Sequence, residues 1–243
     1  MQLSSTLAIL LALAPISICA LPTKESRSTP TISDLLQPRD LSASVVRVLT
    51  DGDCNLSGVQ MPTAPTPLPP VTPGLVLFHV AVGRGTQNYT CKTGLGTETP
   101  ATLGAKATLF NATCAAARSP AVLSQTPALA LSYPIPTSDT AEILLSGHHF
   151  FTNTTTAFFN LDTTAHTWGT VAAKKVSNSS APANAPLGDN GMGSVAWLKL
   201  SGLTGDFKEV YRLDTAGGQP PKNCSGITGT FEVEYAAVYY LWK

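Results

Sequence analysis

Hydrophobic positions along this chain come in short runs broken by Gly, Pro, Asn and Asp, with no helical rhythm. The runs are Leu75–Val82, Thr86–Cys91, Lys106–Phe110, Glu142–Leu145, Ala157–Leu161, Trp168–Val176, Ser194–Leu200, Lys208–Leu213 and Phe231–Trp242. Their lengths and their Val, Thr, Phe and Tyr content predict strands. Ser44–Leu49 predicts another, the first in the chain. No window of helical length carries a 3.6-residue period with caps, and Pro120 stops the Ala-rich stretch ATCAAARSPAVL. The prediction is all-β: a single-domain antiparallel β-sandwich or open barrel over residues 44–243.

The last run shows how such a strand would sit. In FEVEYAAVYYLW, Phe231, Val233 and Tyr235 alternate with Glu232 and Glu234, and then both faces turn apolar. A strand that begins with one face in water and ends with neither reads this way. The segment MPTAPTPLPPVTPG, residues 61–74, holds six prolines. It can be neither helix nor inner strand, so it reads as a stiff surface connection.

The start of the chain predicts its compartment. Leu7–Ala14 is an unbroken apolar run, and Ile18-Cys19-Ala20 offers a small-residue cleavage site. Residues 1–20 therefore read as a secretory signal peptide, although no Lys or Arg precedes the run. Residues 21–43 read as a flexible segment or propeptide, and no run is long enough to span a membrane as a helix. The expected localisation is secreted and extracellular. Charged residues make up 12% of the chain and the formal net charge is zero. That leaves no basic stripe for nucleic acid.

A surface so poor in charge needs another source of solubility, and N-x-S/T acceptors supply one. They occur at Asn55, Asn88, Asn111, Asn153, Asn178 and Asn223. Beyond the leader stand Cys54, Cys91, Cys114 and Cys224, an even number that predicts two disulfides with three connectivities open. No C-x-x-C spacing occurs among them, so no metal is expected.

The stretch HVAVGRGTQNYTC, residues 79–91, looks most like chemistry. Gly83-Arg84-Gly85 reads as a turn between two strands. A dinucleotide loop would need a helix after the glycines and an acidic residue about 20 positions on, and the sequence offers neither. No cofactor is expected. No G-x-S-x-G elbow is present, and DGDCNLSG lacks the glycine and glutamate of a calcium loop. His148 and His149 are adjacent, so on a strand they face opposite ways. His79 shares a face with Leu75 and Leu77 by alternation and reads as a hydrogen-bonded core histidine. The aromatic set Trp168, Trp197, Tyr239, Tyr240 and Trp242 fits either a sugar groove or core packing.

GRGTQNYTC, LSGHHFF, VAWLKL, EVYRLDTAGGQPPKNC and FEVEYAAVYY occur in an order that resembles the secreted family called domain of unknown function 3455. The resemblance runs from about Cys54 to the C-terminus. Fungal members of that family are often labelled malate dehydrogenase, an activity for which this chain shows no dinucleotide-binding unit. The resemblance implies a secreted fungal protein of unestablished activity. Because Cys91 and Cys224 fall inside two of its blocks, it also implies a Cys91–Cys224 bridge, with Cys54–Cys114 as the second.

Two functional readings result. The first is a non-enzymatic secreted glycoprotein that binds carbohydrate or cell-wall components, because no complete catalytic set is visible. The second is an extracellular enzyme acting on carbohydrate or a small polar substrate. The candidate ligand-binding residues are Arg84, Gln87, His148, His149, Arg212 and Thr215. Arg84 could clamp a carboxylate, and a histidine could serve as acid or base. The readings part on whether Arg84, Gln87 and a histidine meet in one concave pocket.

Overall fold

The computed structural model describes residues 54–137 and 139–243. The leader, the segment 21–43 and the strand expected at Ser44–Leu49 lie outside the described residues. Eight strands follow one another: β1 Leu77–Cys91, β2 Ala101–Asn111, β3 Leu145–Phe151, β4 Thr156–Asp162, β5 Thr167–Ser179, β6 Trp197–Gly205, β7 Glu209–Gly217 and β8 Gly229–Trp242. Each pairs antiparallel with the next, and β1 pairs with β8, so the sheet closes into a barrel. The expected all-β antiparallel fold is found; closure leaves no edge strand to protect, which a sandwich or open barrel would have had.

Both disulfides are present, Cys54–Cys114 and Cys91–Cys224, with Cα atoms 5.1 and 5.7 Å apart. The first bridge fastens the segment before β1 to the excursion after β2. The second joins the end of β1 to the loop before β8.

Among the described residues four short helices interrupt the strands: α1 Thr113–Arg118, α2 Pro120–Leu123, α3 Thr126–Leu131 and α4 Asp139–Leu144. The sequence pattern predicts no helix here and a strand over Glu142–Leu145, where the structure has α4 up to Leu144. The Ala-rich helix α1 does stop before Pro120, capped by the extended Ser119, and Pro120 then opens α2 in its first turn, where its missing N–H is not needed. Each helix is shorter than two turns, too short to show a period, and is held by packing on the barrel.

The strand faces divide the apolar residues into two clusters. The inner one fills the barrel with Leu109, Phe159, Val171, Val210, Tyr235 and Tyr239 among others. The outer one includes Val80, Trp197, Tyr211, Val238 and Tyr240, covered by Ala64, Leu68 and Val71 of the proline-rich segment and by Ala116 and Leu123 of the helices. Val238 and Tyr240 meet this cover while Tyr239 and Leu241 fill the lumen. That is why the second half of β8 is apolar on both faces. Trp197, Tyr240 and Trp242 lie in the outer cluster, so core packing accounts for most of the aromatic set.

β1 corrects the turn expected at Gly83-Arg84-Gly85: it is one unbroken 15-residue strand. The glycines are there because side chains would not fit. A Cβ on Gly83 would stand 2.6 Å from Tyr239 Cε2, and one on Gly85 would fall on the Lys106 carbonyl oxygen. Near its start, the register of β1 against β8 shifts between Leu77 and His79. The shift sends Leu77 to the outer cluster and His79 inward, so the two do not share a face as strict alternation predicts.

Candidate functional site

Strand alternation separates the sequence-predicted residues by the thickness of the sheet. Arg84 and His148 stand on the outer wall, and Gln87, His149 and Arg212 face the lumen. Arg84, His148 and His149 border one cleft, and Gln87 is not part of its lining. Thr215 is buried and donates its hydroxyl to the Val195 carbonyl at 2.6 Å, a structural bond.

Arg84 sits under α3. Its Nε donates to the Ala130 carbonyl at 3.0 Å, its Nη1 to the Gly85 carbonyl, and its Nη2 forms an ion pair with Glu234. The guanidinium thus fixes the end of α3, where a cation meets the last helical carbonyls. Arg84 and Glu234 border a cleft of about 320 Å³ whose lining also includes Thr86, Lys106, Thr108, Ile135, His148, His149 and Phe150.

Register explains how this wall is built. Arg84 pairs with Thr108, Thr108 with His148, and His148 with Asn160, which lines up four polar side chains across β1 to β4. In the neighbouring row, Phe150 pairs with Phe158, their rings 5.4 Å apart, and Phe150 is 41% exposed. Thr86, Thr108, Asn160, Lys106, Phe150 and Phe158 escaped the sequence reading. LSGHHFF and TAFFN each show the alternation, but which residue of one meets which of the other is set by hairpin register.

The lumen is polar at one level. The Tyr235 and Tyr239 hydroxyls are 2.7 Å apart, and Arg212 Cζ lies 5.9 Å from the Tyr235 ring centroid. Arg212 Nη2 donates to the Ala196 carbonyl at 2.9 Å. His149 stacks on Phe159 at 4.2 Å, with Nδ1 3.0 Å from the Phe158 carbonyl oxygen. Burial pushes the His149 pKa down to about 4, and the nearby Arg212 charge acts in the same direction, so the ring is neutral at pH 7. Burial also raises the Tyr89 pKa to about 12 and those of Tyr235 and Tyr239 above the ordinary phenol value. All three phenols remain protonated donors.

At the other end of the barrel His79 is 2.7 Å from Ser146 Oγ and 3.3 Å from Thr113 Oγ1. Burial first, then the charges of His166 and Lys243, push its pKa down to about 3. Ser146 is fully buried, so this Ser–His contact has no substrate access. Among the described residues no group of three His, Cys, Asp or Glu side chains is placed to hold a metal ion. No described helix is long and apolar enough to cross a membrane.

A family model described as protein of unknown function (DUF3455) matches residues 72–243. The chain belongs to this family. No curated protein and no solved structure matches it. The DUF3455 region contains the whole barrel together with Cys91, Cys114 and Cys224, while Cys54 lies before it. One bridge is thus internal to the DUF3455 barrel, and the other ties the preceding segment onto it. The glycines of GRGTQNYTC, whose spacing hints at a nucleotide loop, lie mid-strand in this DUF3455 member, where no helix N-terminus meets them.

Proposed function

We propose that this DUF3455 protein is a secreted, N-glycosylated module that binds carbohydrate of an extracellular or cell-wall matrix without turning it over. The observation that carries the reading is the cross-strand row Thr108–His148–Asn160, anchored at Arg84, beside the exposed Phe150 ring, which the half-buried Phe158 backs. A sugar offers an apolar C–H face and a rim of hydroxyls. An aromatic surface flanked by neutral and cationic hydrogen-bonding groups suits both. The cleft volume of about 320 Å³ matches one or two sugar rings, at the lower end of small-ligand sites. The two disulfides support an oxidising compartment.

The enzymatic alternative would rest on His148 as acid or base. Among the described residues no hydrogen bond or ion pair joins His148 to a carboxylate, and Glu234 is held by Arg84. Binding without turnover therefore fits the wall better.

The test is a screen of the purified secreted protein against immobilised glycans and cell-wall polysaccharides, repeated with Phe150→Ala and His148→Ala. The expected result is retention of the wild type on one polysaccharide class and at least about tenfold weaker binding by each variant. Undiminished binding by both variants, or release of sugar products by the wild type, would overturn the reading.

A further inference from the structure

Two buried side-chain nitrogens in the lumen, Gln87 Nε2 and Arg212 Nε, meet no acceptor at full hydrogen-bond geometry. Their residues are only 7% and 8% exposed, so bulk water does not satisfy them. Among the described residues no carboxylate forms an ion pair with Arg212, whereas Arg84 and Lys199, the other buried cations of the barrel wall, each have one. A guanidinium held inside a barrel without an anion is costly, and its contact with the Tyr235 ring offsets part of that cost. Gln87 reaches the Tyr235 phenol and Arg212 the Tyr239 phenol, so the two side chains belong to one cluster.

What the cluster lacks is an anion for Arg212, and one with two oxygens would also reach Gln87. We infer that the lumen at Arg212 and Gln87 is a binding site for a small carboxylate. The carboxylate accepts from Arg212 Nε, from the Gln87 amide, and from the Tyr235–Tyr239 hydroxyl pair. A planar guanidinium presents its donors in a fork that matches a carboxylate. Gly85, Ala105 and Ala107 make the wall beside Gln87 shallow, Leu198 pairs with Arg212 across β6 and β7, and Leu198 and Phe151 pack partly buried against the inner cluster. An eight-stranded barrel has room for one small ligand at most, which limits the acid to a short chain or a single ring. This site lies on the opposite face of the sheet from the proposed sugar-binding wall and does not depend on it.

The experiment is a thermal-shift and tyrosine-fluorescence titration of the full secreted chain with acetate, succinate and benzoate, against chloride at matched ionic strength. At least one carboxylate should raise the melting temperature saturably, and chloride should not. Gln87→Met should weaken that carboxylate about tenfold, as the loss of one hydrogen bond to a charged group does. Arg212→Met should abolish the response, and Val176→Ala, at an exposed position of β5 outside both sites, should keep it. A wild type indifferent to all three acids overturns the inference whether or not the lumen variants fold. So does an undiminished response in Gln87→Met or Arg212→Met.

Discussion

Lys199 Nζ lies 2.9 Å from Glu209 Oε1, with both side chains buried between the barrel wall and the proline-rich segment. Lys199 also donates to the Pro70 carbonyl at 2.7 Å, and Glu209 accepts from the Thr72 hydroxyl at 2.7 Å. Burial alone would raise the Glu209 pKa, but the bonds from Lys199 and Thr72 outweigh it and hold the carboxyl below its ordinary value. The pair thereby pins a segment that has no strand pairing of its own. Lys199→Met should cost about 3 kcal/mol by urea denaturation, because it leaves a buried carboxylate without its cation. It should also expose residues 68–72 to hydrogen exchange. The double change Lys199→Met with Glu209→Leu should recover most of the loss. A single variant as stable as wild type would refute the role of the pair.

The two glycines of β1 make a graded prediction. At Gly83 the neighbour of an added methyl is the edge of the Tyr239 ring, which can shift. Gly83→Ala should cost about 1–3 kcal/mol, the usual range for overpacking. At Gly85 the neighbour is the backbone of β2, which cannot move without opening the ladder. Gly85→Ala should cost more than about 4 kcal/mol, or prevent secretion of folded protein. Thermal denaturation and secretion yield give the order, and a Gly85→Ala variant more stable than Gly83→Ala would contradict it.

The same residues show what the sequence could and could not tell. The strands of the second half were legible because β4, β5, β7 and β8 alternate or run apolar between clear breaks. Gly83 and Gly85 misled because a glycine needed for close approach looks the same in sequence as one needed for a turn. The helices were invisible because each is under two turns and gains its stability from the wall it covers. Gln87 and His149 could be placed inward by alternation, but their meeting with Arg212 depends on closure of β8 onto β1. His79 is the buried, hydrogen-bonded histidine expected, but a register shift that no local pattern announces parts it from the face of Leu77.

The acceptor asparagines fall into two groups. Asn55, Asn153, Asn178 and Asn223 are exposed, while Asn88 and Asn111 are half-buried and paired within the barrel ladders. In the exposed group, Asn55, Asn153 and Asn223 each accept a bond at Oδ1 from the amide two residues on. This turn leaves Nδ2 free for a glycan. Intact-mass and peptide analysis of secreted protein should find sugar at these exposed sites. Thr90→Ala, which removes the Asn88 acceptor, should leave the glycan mass unchanged. A glycan at Asn88 and none at Asn153 would contradict the exposure rule.

Acid should destabilise the fold through its two buried histidines. The ordinary histidine value of 6.5 falls to about 4 at His149 and about 3 at His79, in each case chiefly through burial. Between pH 6.5 and those values the unfolded chain binds more protons, so stability falls as the pH is lowered through this window. Asp214 works in the opposite sense. Burial raises its pKa from 3.8 to about 6, so its contribution is full below 3.8 and is lost as the pH rises through 6. Asp214 also has φ 47°, a left-handed backbone that Asn tolerates well. Asp214→Asn should therefore leave the backbone unstrained and add about 1 kcal/mol at pH 7, after allowance for the solvent contact of the side chain. At pH 3.5 it should add little. His149→Phe should keep the stack on Phe159 and flatten the acid loss between pH 6.5 and 4. Urea midpoints for wild type and both variants from pH 3.5 to 8 check all three slopes, and a His149→Phe profile parallel to wild type would refute the assignment to that ring.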